Sequence, residues 1–188
     1  MATIRPGLKT VLLLVDVQVG VMAECWDAAR VVANIAHAVD RARAQGVPVV
    51  WVQHESEDLP RGSAKWQWVP ELVPREGEPR VDKRFNSGFE DSTLERVLAD
   101  LGATHLVLAG AETNWCIRAT AYGALERGYD LTLVSDAHTA TPIEIEPGRP
   151  LDIARIVEDL NLGMTWLRYP GRKNRTACAA ELDFAALG

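Results

Sequence analysis

Four short and almost entirely apolar segments recur along this chain, and amphipathic or polar stretches separate them. These segments are residues 10–15, 47–52, 104–109 and 129–134. Strands covered on both faces have this near-continuous apolar character, whereas strands with one face in water alternate. Helical patterns lie between the segments, at about 27–44, 92–102 and 116–127. The alternation predicts an α/β domain built around a parallel sheet.

The sequence also predicts helix caps and the course of the last third of the chain. Asp27 is expected to cap the first helix, and Asp91 or Ser92 is expected to form a capping box with Glu95 at the second. A further helix is predicted over 151–160 and a short final strand over 163–167. A polar tail without assigned structure follows at 169–188. The 188 residues are predicted to form one domain, 1–188, with its core at about 10–168.

A long polar stretch interrupts the pattern between about His54 and Asn86. It contains several prolines and glycines and the cluster Trp66-Gln67-Trp68. Loops of this length in compact domains are usually functional lids or interface arms. We therefore expect the segment to shape a pocket, and it favours a homo-oligomer, either a dimer or a tetramer.

Composition argues against several classes of partner. The net charge is −6 and the one basic cluster lies in the tail, so no nucleic-acid partner is expected. No apolar run approaches the roughly 20 residues that span a bilayer, so no membrane partner is expected. The first residues lack signal-peptide features, which gives a cytoplasmic location by default. Three widely spaced cysteines, Cys25, Cys116 and Cys178, form neither a disulfide framework nor a zinc pattern.

Three residues point to covalent catalysis through sulfur. Asp16 ends the first strand, Cys116 follows the third across a short loop, and Lys83 lies between them in sequence. The carboxyl ends of parallel strands share one edge of a sheet, where such proteins place their sites. A helix that begins near Cys116 is expected to lower the pKa of its thiol, and free backbone N–H groups there could form an oxyanion hole. Taken singly, each residue has an equally good structural explanation: a packed cysteine, a loop-capping carboxylate and a surface lysine.

Three segments of the chain together resemble the signature segments of the isochorismatase-like cysteine hydrolases. They are Leu14-Val15-Asp16-Val17-Gln18, residues 82–89 and residues 110–118, and the similarity extends over about 10–142. The resemblance implies a three-layer α/β/α sandwich with a six-stranded parallel sheet, a Rossmann-like arrangement. It also implies that Asp16, Lys83 and Cys116 form a catalytic triad.

The resemblance implies a mechanism as well. Asp16 would take the thiol proton, Cys116 would attack an amide-like carbonyl, and water would then hydrolyse the thioester. The backbone N–H groups of Glu112 and Cys116 would form the oxyanion hole, with a cis peptide bond just before Glu112. Thr113 would support this loop through its hydroxyl.

A departure from one branch of the family bears on cofactors. Nicotinamidases of this family bind a metal through an Asp-x-His pair and a later histidine, but here Val52 replaces the aspartate before His54. No histidine occurs between His54 and His105. Because a catalytic metal needs about three protein ligands, we predict no metal and no other cofactor. His54 is instead predicted to contact substrate, together with aromatic walls formed by Trp26, Trp68, Phe85 and Trp115.

These observations predict a metal-independent cysteine hydrolase that cleaves a C–N bond of a small amide, ureido or carbamoyl compound. One alternative is a vinyl ether hydrolase of the isochorismatase type, although such enzymes often lack the cysteine. Another is a non-catalytic member of the family that acts in assembly. A nucleotide-binding domain is excluded because no G-x-G-x-x-G follows the first strand.

Overall fold

A computed structural model of the chain describes residue 5 and residues 7–186. The strands are β1 (Thr10–Val15), β2 (Val49–His54), β3 (Arg80–Lys83), β4 (His105–Ala111), β5 (Asp130–Thr139), β6 (Glu144–Glu146), β7 (Arg149–Pro150) and β8 (Asn174–Ala177). The α-helices are α1 (Val19–Met22), α2 (Ala28–Ala44), α3 (Leu94–Asp100), α4 (Arg118–Glu126) and α5 (Ile153–Trp166). A π-helix, Thr113–Ile117, leads into α4, and a 3₁₀-helix spans Ala179–Glu181.

Six strands form one parallel sheet in the order β3-β2-β1-β4-β5-β8, while β6 and β7 form a separate antiparallel hairpin. The sheet divides the core into two layers because successive side chains of a strand point to opposite faces. Leu12 and Leu14 pack on the face covered by α2. Val11 and Leu13 pack on the face covered by α3, α4 and α5. The predicted three-layer α/β/α sandwich with a six-stranded parallel sheet is thus confirmed.

The two outer strands correct the sequence prediction. β3 lies inside the stretch predicted to be a loop, and β8 lies inside the tail that was given no structure. In β3 the side chains of Val81 and Lys83 are buried, whereas Arg80 is exposed. Each of these strands pairs with a single neighbour, β2 or β5. Edge strands tolerate polar side chains, so they lack the apolar signature of the inner strands.

The predicted final strand at 163–167 is also wrong. Its first four residues complete α5, which extends to Trp166. Leu160 and Met164 are both fully buried and stand four residues apart, so they cover the sheet from one face of a helix. The ends of the predicted domain, residues 1 and 188, lie outside the described residues. That the chain forms a single domain therefore stays a prediction.

Of the two predicted side-chain caps, the one at α2 does not form and the one at α3 forms only in part. Asp27 stands before α2 with a left-handed backbone (φ 51°), and its carboxylate pairs with Arg30 rather than capping the helix. Thr93 directly precedes α3, and the Ser92 hydroxyl accepts from the N–H of Leu94, the first residue of α3, at 3.2 Å while it donates to the carbonyl of Gly88. Glu95 pairs with Arg5 at 2.5 Å instead of closing a capping box.

Gly110 allows the two central strands, β1 and β4, to approach closely at the carboxyl edge of the sheet. It pairs with Val15 and has φ of +129°, in the region that favours glycine. A Cβ atom at this position would lie 2.0 Å from the carbonyl oxygen of Val15. Because that neighbour is main chain, it cannot move aside as a flexible side chain would.

In the described part of the chain, no helix combines the length and the apolar character needed to cross a membrane.

We predict that Gly110→Ala lowers the free energy of unfolding by about 3 kcal/mol, since it adds both a main-chain clash and an unfavourable φ. Gly46→Ala is the matched control. Gly46 also has a positive φ, +67°, but its Cβ would meet no heavy atom within 4 Å, so a loss of about 1 kcal/mol is expected. Urea unfolding of both variants measures the difference, and equal losses would contradict the close approach.

Candidate active site

The carboxyl edge of the sheet brings Asp16, Lys83 and Cys116 into contact. The Nζ atom of Lys83 lies 2.7 Å from Oδ2 of Asp16 and 3.2 Å from Sγ of Cys116. All three residues are buried, with Asp16 and Lys83 at most 2% exposed. Asp16 directly follows β1, Lys83 ends β3, and Cys116 lies in the π-helix after β4. The carboxylate, the ammonium and the thiol that the sequence singled out therefore share one site.

Strand register fixes the surroundings of Lys83. In the pairing of β2 with β3, His54 lies directly beside Lys83, and the Nδ1 atom of His54 is 3.1 Å from the ammonium nitrogen. The ammonium also donates to the carbonyl oxygen of Phe85 at 3.1 Å. Burial alone would lower the pKa of Lys83, but the negative charge of Asp16 and hydrogen bonds to Asp16 and Cys116 outweigh it, so the pKa is raised. Lys83 is therefore an ammonium cation at ordinary pH.

Asp16 has one oxygen engaged and one available. Oδ2 pairs with Lys83, whereas Oδ1 is buried and has no hydrogen-bond partner within the described residues. The backbone of Asp16 is left-handed, with φ of 56°, which turns the chain out of β1 at this point. A carboxylate oxygen held in place beside the thiol without a donor is placed to accept a proton.

The pKa of the Cys116 thiol differs from the sequence prediction. Burial, followed by the negative charge of Asp16, raises it to about 12, and the opposing charge of Lys83 only partly offsets this. The expectation that the helix start lowers this pKa is therefore wrong. Cys116 is the fourth residue of the π-helix and therefore does not lie at the helix N-terminus. In the absence of substrate the sulfur is a neutral thiol, so ionisation must be coupled to proton transfer.

A buried chain of hydrogen bonds stabilises the loop before Cys116. The peptide bond between Ala111 and Glu112 is cis, as the family resemblance implied. The hydroxyl of Thr113 lies 2.9 Å from Nδ1 of His138, whose Nε2 lies 3.1 Å from Oδ1 of Asn161. Asn161 in turn donates through Nδ2 to the carbonyl of Ser135. This arrangement places the ring hydrogen on Nε2 and leaves Nδ1 to accept from Thr113.

Burial lowers the pKa of His138 to about 4, so the ring is neutral at ordinary pH. The chain of contacts connects β5 and α5 to the π-helix that carries Cys116. Thr113 thus has the supporting role that the resemblance implied, but its partners, His138 and Asn161, were not predicted together.

A cavity of about 360 Å³ opens above the three residues. Asp16 and Cys116 reach its surface, and it is lined further by Gly20, Val21, Glu24, His54, Ser56, Asp58, Leu59, Lys65, Asn86, Glu112, Trp115 and Thr141. Its volume suits a small molecule. The walls carry the carboxylates of Glu24, Asp58 and Glu112 against the single ammonium of Lys65, so they favour a neutral or cationic ligand over an anion.

Of the five side chains predicted to contact substrate, the structure places His54 and Trp115 in the cavity wall. Trp68 packs edge-on against Trp51, with ring centroids 5.0 Å apart, in the layer under α2. Trp26 and Phe85 are partly exposed, and among the described residues neither lines this cavity. The carbonyl of Phe85, rather than its ring, contacts the site.

Gln18 was not given a role by the sequence, although it lies in a signature segment. It is fully buried, and its amide exchanges two hydrogen bonds with the main chain of His54, at 2.9 and 3.0 Å. The same amide donates to the carbonyl of Trp66 at 2.9 Å. The signal in the sequence was a polar amide directly after a buried strand, which requires partners inside the protein.

The long segment between β2 and β3 forms one wall of the cavity. Its main chain is bonded to the loop after β1: Val19 donates to the carbonyl of Gln67, and Gly20 to that of Lys65, both at 2.8 Å. Leu59 and Lys65 from this segment line the cavity. The prediction that this segment shapes a pocket is consistent with these contacts.

The comparisons with known proteins agree with the fold and the site. Residues 10–146 match the family model described as the isochorismatase domain. Since this match covers most of the chain, the protein belongs to the isochorismatase family. The family resemblance inferred from the three segments is confirmed.

Individual relatives refine this placement. The chain is 36% identical over 155 residues to a streptothricin hydrolase from Streptomyces noursei, which covers 78% of this chain and 60% of that protein. It is 32% identical over 108 residues to a secreted isochorismatase effector from Verticillium dahliae, covering 55% of this chain and 57% of the effector. A crystal structure of an isochorismatase from Pseudomonas putida KT2440 superposes with a TM-score of 0.81 at 26% identity, over 95% and 93% of the two chains. The chain thus spans about 60% of the length of the two curated relatives.

We predict that His138 makes stability fall with acid. Its pKa is about 4 in the folded protein and about 6.5 in the unfolded chain, so between these values the unfolded chain binds a proton that the folded protein does not. The free energy of unfolding should therefore drop by about 2 kcal/mol from pH 7 to pH 5 on account of this residue.

The variant His138→Asn isolates this contribution, because it keeps an acceptor for Thr113 but does not titrate. Urea unfolding at pH 7 and pH 5 should show a smaller acid loss in the variant than in the wild type. An identical pH dependence in both proteins would show that His138 titrates normally.

Proposed function

We propose that this protein is a metal-independent cysteine hydrolase that cleaves a C–N bond of a small amide, ureido or carbamoyl compound. The observation that carries the proposal is the contact of Lys83 with both Asp16 and Cys116, at 2.7 and 3.2 Å, on the floor of a small-molecule cavity. A buried ion pair is costly to assemble and adds little net stability, so its presence beside a thiol favours catalysis over packing.

Acylation begins with the transfer of the thiol proton from Cys116 to Asp16. The free Oδ1 atom of Asp16 is the acceptor, and Lys83 stabilises the thiolate that forms. The sulfur then attacks the carbonyl carbon of the substrate, and the carbonyl oxygen becomes an oxyanion. As this tetrahedral intermediate collapses, the C–N bond breaks and the leaving nitrogen takes the proton back from Asp16. The products are a free amine and a thioester on Cys116.

The oxyanion is stabilised by the backbone N–H groups of Glu112 and Cys116 in this proposal. These two residues flank the start of the π-helix, and the His138 contact with Thr113 holds the turn between them. Hydrolysis of the thioester follows when Asp16, again a carboxylate, takes a proton from an incoming water. The water oxygen attacks the thioester, the C–S bond breaks, and the proton returns to the sulfur.

Three further observations support C–N hydrolysis without a metal. The position two residues before His54 is Val52, a side chain that cannot ligate. Within residue 5 and residues 7–186, no three His, Cys, Asp or Glu side chains are grouped to hold a metal ion. The curated relative from Streptomyces noursei is named for hydrolysis of streptothricin, which is consistent with hydrolysis of an amide here.

A vinyl ether hydrolase is the second candidate, since the superposed structure from Pseudomonas putida is an isochorismatase. Isochorismate is a dicarboxylate, however, and the carboxylates of Glu24, Asp58 and Glu112 outnumber the ammonium of Lys65 in the cavity wall. Charge therefore favours an amide substrate over this anion. A non-catalytic role in assembly, a cytoplasmic location and a homo-oligomeric state stay predictions.

We predict that Cys116→Ala lowers turnover of the best substrate in a panel of small amides and ureido compounds by at least about 1,000-fold, since no thioester can form. Asp16→Asn should give a comparable loss. In the wild type, rapid quenching and intact-mass measurement should detect an acyl adduct on Cys116.

Cys178→Ser is the matched control for loss of a thiol. Cys178 lies in the C-terminal part of the chain, precedes the 3₁₀-helix and is only partly buried, so its substitution should leave turnover unchanged. Full turnover by Cys116→Ala would refute the thiol mechanism.

The ether hydrolase is tested separately with isochorismate. We predict no release of pyruvate above background from the wild type, because the acidic wall repels a dianion. Pyruvate release that persists in Cys116→Ser would instead favour ether cleavage that does not use the sulfur.

A further inference from the structure

The ammonium of Lys83 has more acceptors than hydrogens. A lysine ammonium carries three N–H groups. Four acceptor atoms surround it: Oδ2 of Asp16 at 2.7 Å, the carbonyl oxygen of Phe85 at 3.1 Å, Nδ1 of His54 at 3.1 Å and Sγ of Cys116 at 3.2 Å. Three hydrogens cannot fully serve four acceptors, so two of the four compete for one hydrogen.

The competitors are His54 and Cys116. Asp16 offers a charged oxygen and Phe85 a main-chain carbonyl, and both are strong acceptors in every state of the site. A neutral thiol is a weak acceptor, whereas a thiolate is a strong one. As a hydrogen-bond acceptor, the Nδ1 atom of a neutral imidazole is stronger than a thiol and weaker than a thiolate. The shared hydrogen therefore points to His54 while the sulfur is protonated, and to the sulfur once it ionises.

The position of His54 makes this competition unavoidable. β2 lies between β1 and β3 in the sheet, and register places His54 beside Lys83. Gln18 fixes the main chain of His54 through two hydrogen bonds. With an ammonium facing Nδ1, the ring hydrogen must be on Nε2. His54 is thus held as an acceptor towards Lys83.

We propose that His54 is a positioning residue that keeps Cys116 protonated in the empty site by holding the third hydrogen of Lys83. The inference rests on the proposed function in taking Cys116 as the nucleophile. To ionise, the sulfur must draw that hydrogen away from His54, which makes thiolate formation harder until substrate is bound. Because oxidation of cysteine follows its thiolate character, the same competition protects the nucleophile between turnovers.

Ionisation of His54 plays no part in the test, and the other charged groups near the pair are the same in all three proteins. The groups that face His54 and Cys116 or line the same cavity are Asp16, Glu24, Glu55, Asp58, Lys65, Lys83 and Glu112. Burial, followed by the charge of Lys83, lowers the pKa of His54, so the ring is neutral above pH 7. A change in thiol reactivity between pH 7 and pH 10 therefore reports on hydrogen bonding and not on titration of His54.

The experiment compares the alkylation of Cys116 by iodoacetamide in the wild type, His54→Leu and His54→Asn. Rates are measured from pH 7 to pH 10 without substrate and followed on the Cys116 peptide by mass spectrometry, with Cys178 as the internal reference thiol. Leucine removes the competing acceptor, so alkylation should be about tenfold faster at each pH, equivalent to a thiol pKa lower by about one unit. Asparagine offers Oδ1 in place of Nδ1, so its rates should match the wild type.

If His54 had only a structural role, the alkylation rates of His54→Leu and His54→Asn would not differ in this way. Unchanged or slower alkylation in His54→Leu, or the same shift in both variants, would overturn the proposal. If circular dichroism shows that His54→Leu is unfolded, His54→Ala replaces it with the same expectation. The test uses no substrate, so its outcome is separate from turnover by Cys116→Ala, which decides the proposed function.

Discussion

The buried ammonium of Lys83 is the interaction on which the site depends. A lysine that is 1% exposed is tolerated only if an opposite charge and hydrogen-bond acceptors surround it. Asp16 supplies the charge, and main-chain and side-chain atoms from three parts of the chain supply the acceptors. Such a pair contributes little net stability relative to apolar packing. In the proposed mechanism, its value lies in fixing the distance between the proton acceptor Asp16 and the sulfur of Cys116, which are a hundred residues apart in the chain.

The parts of the fold that could be predicted are those in which burial dictates sequence. The four inner strands are covered on both faces, so their apolar runs are visible without a structure. The outer strands carry residues such as Arg80 and Arg175, because one edge of each is free of a neighbouring strand. Pairing through main-chain atoms leaves no side-chain pattern, so neither strand was predicted. Met164, four residues after Leu160, shows how a helical repeat was mistaken for a strand.

The candidate site likewise has features that the sequence predicts and features that it does not. That Asp16, Lys83 and Cys116 converge follows from strand ends and from the family resemblance, both of which the sequence provides. The contact of His54 with Lys83 depends on register, and the contact of Thr113 with His138 depends on an irregular pairing of β4 with β5. Neither is encoded in local sequence. The pKa of Cys116 was predicted in the wrong direction because the depth of burial, its largest determinant, cannot be read from one helix start.

In the proposed mechanism, the reacting groups and the wall that would select the substrate lie on different parts of the main chain. Asp16 follows β1, Lys83 ends β3 and Cys116 lies in the π-helix after β4, whereas one wall of the cavity comes from the segment between β2 and β3. That segment is attached to Val19 and Gly20 by bonds between main-chain atoms. Hydrogen bonds between main-chain atoms do not depend on which side chains the residues carry. Apart from Gly20, where an added Cβ would lie 2.8 Å from side-chain atoms of Leu59 and Lys65, wall residues can change one at a time, and with them the molecules that the cavity admits, while Asp16, Lys83 and Cys116 keep their positions.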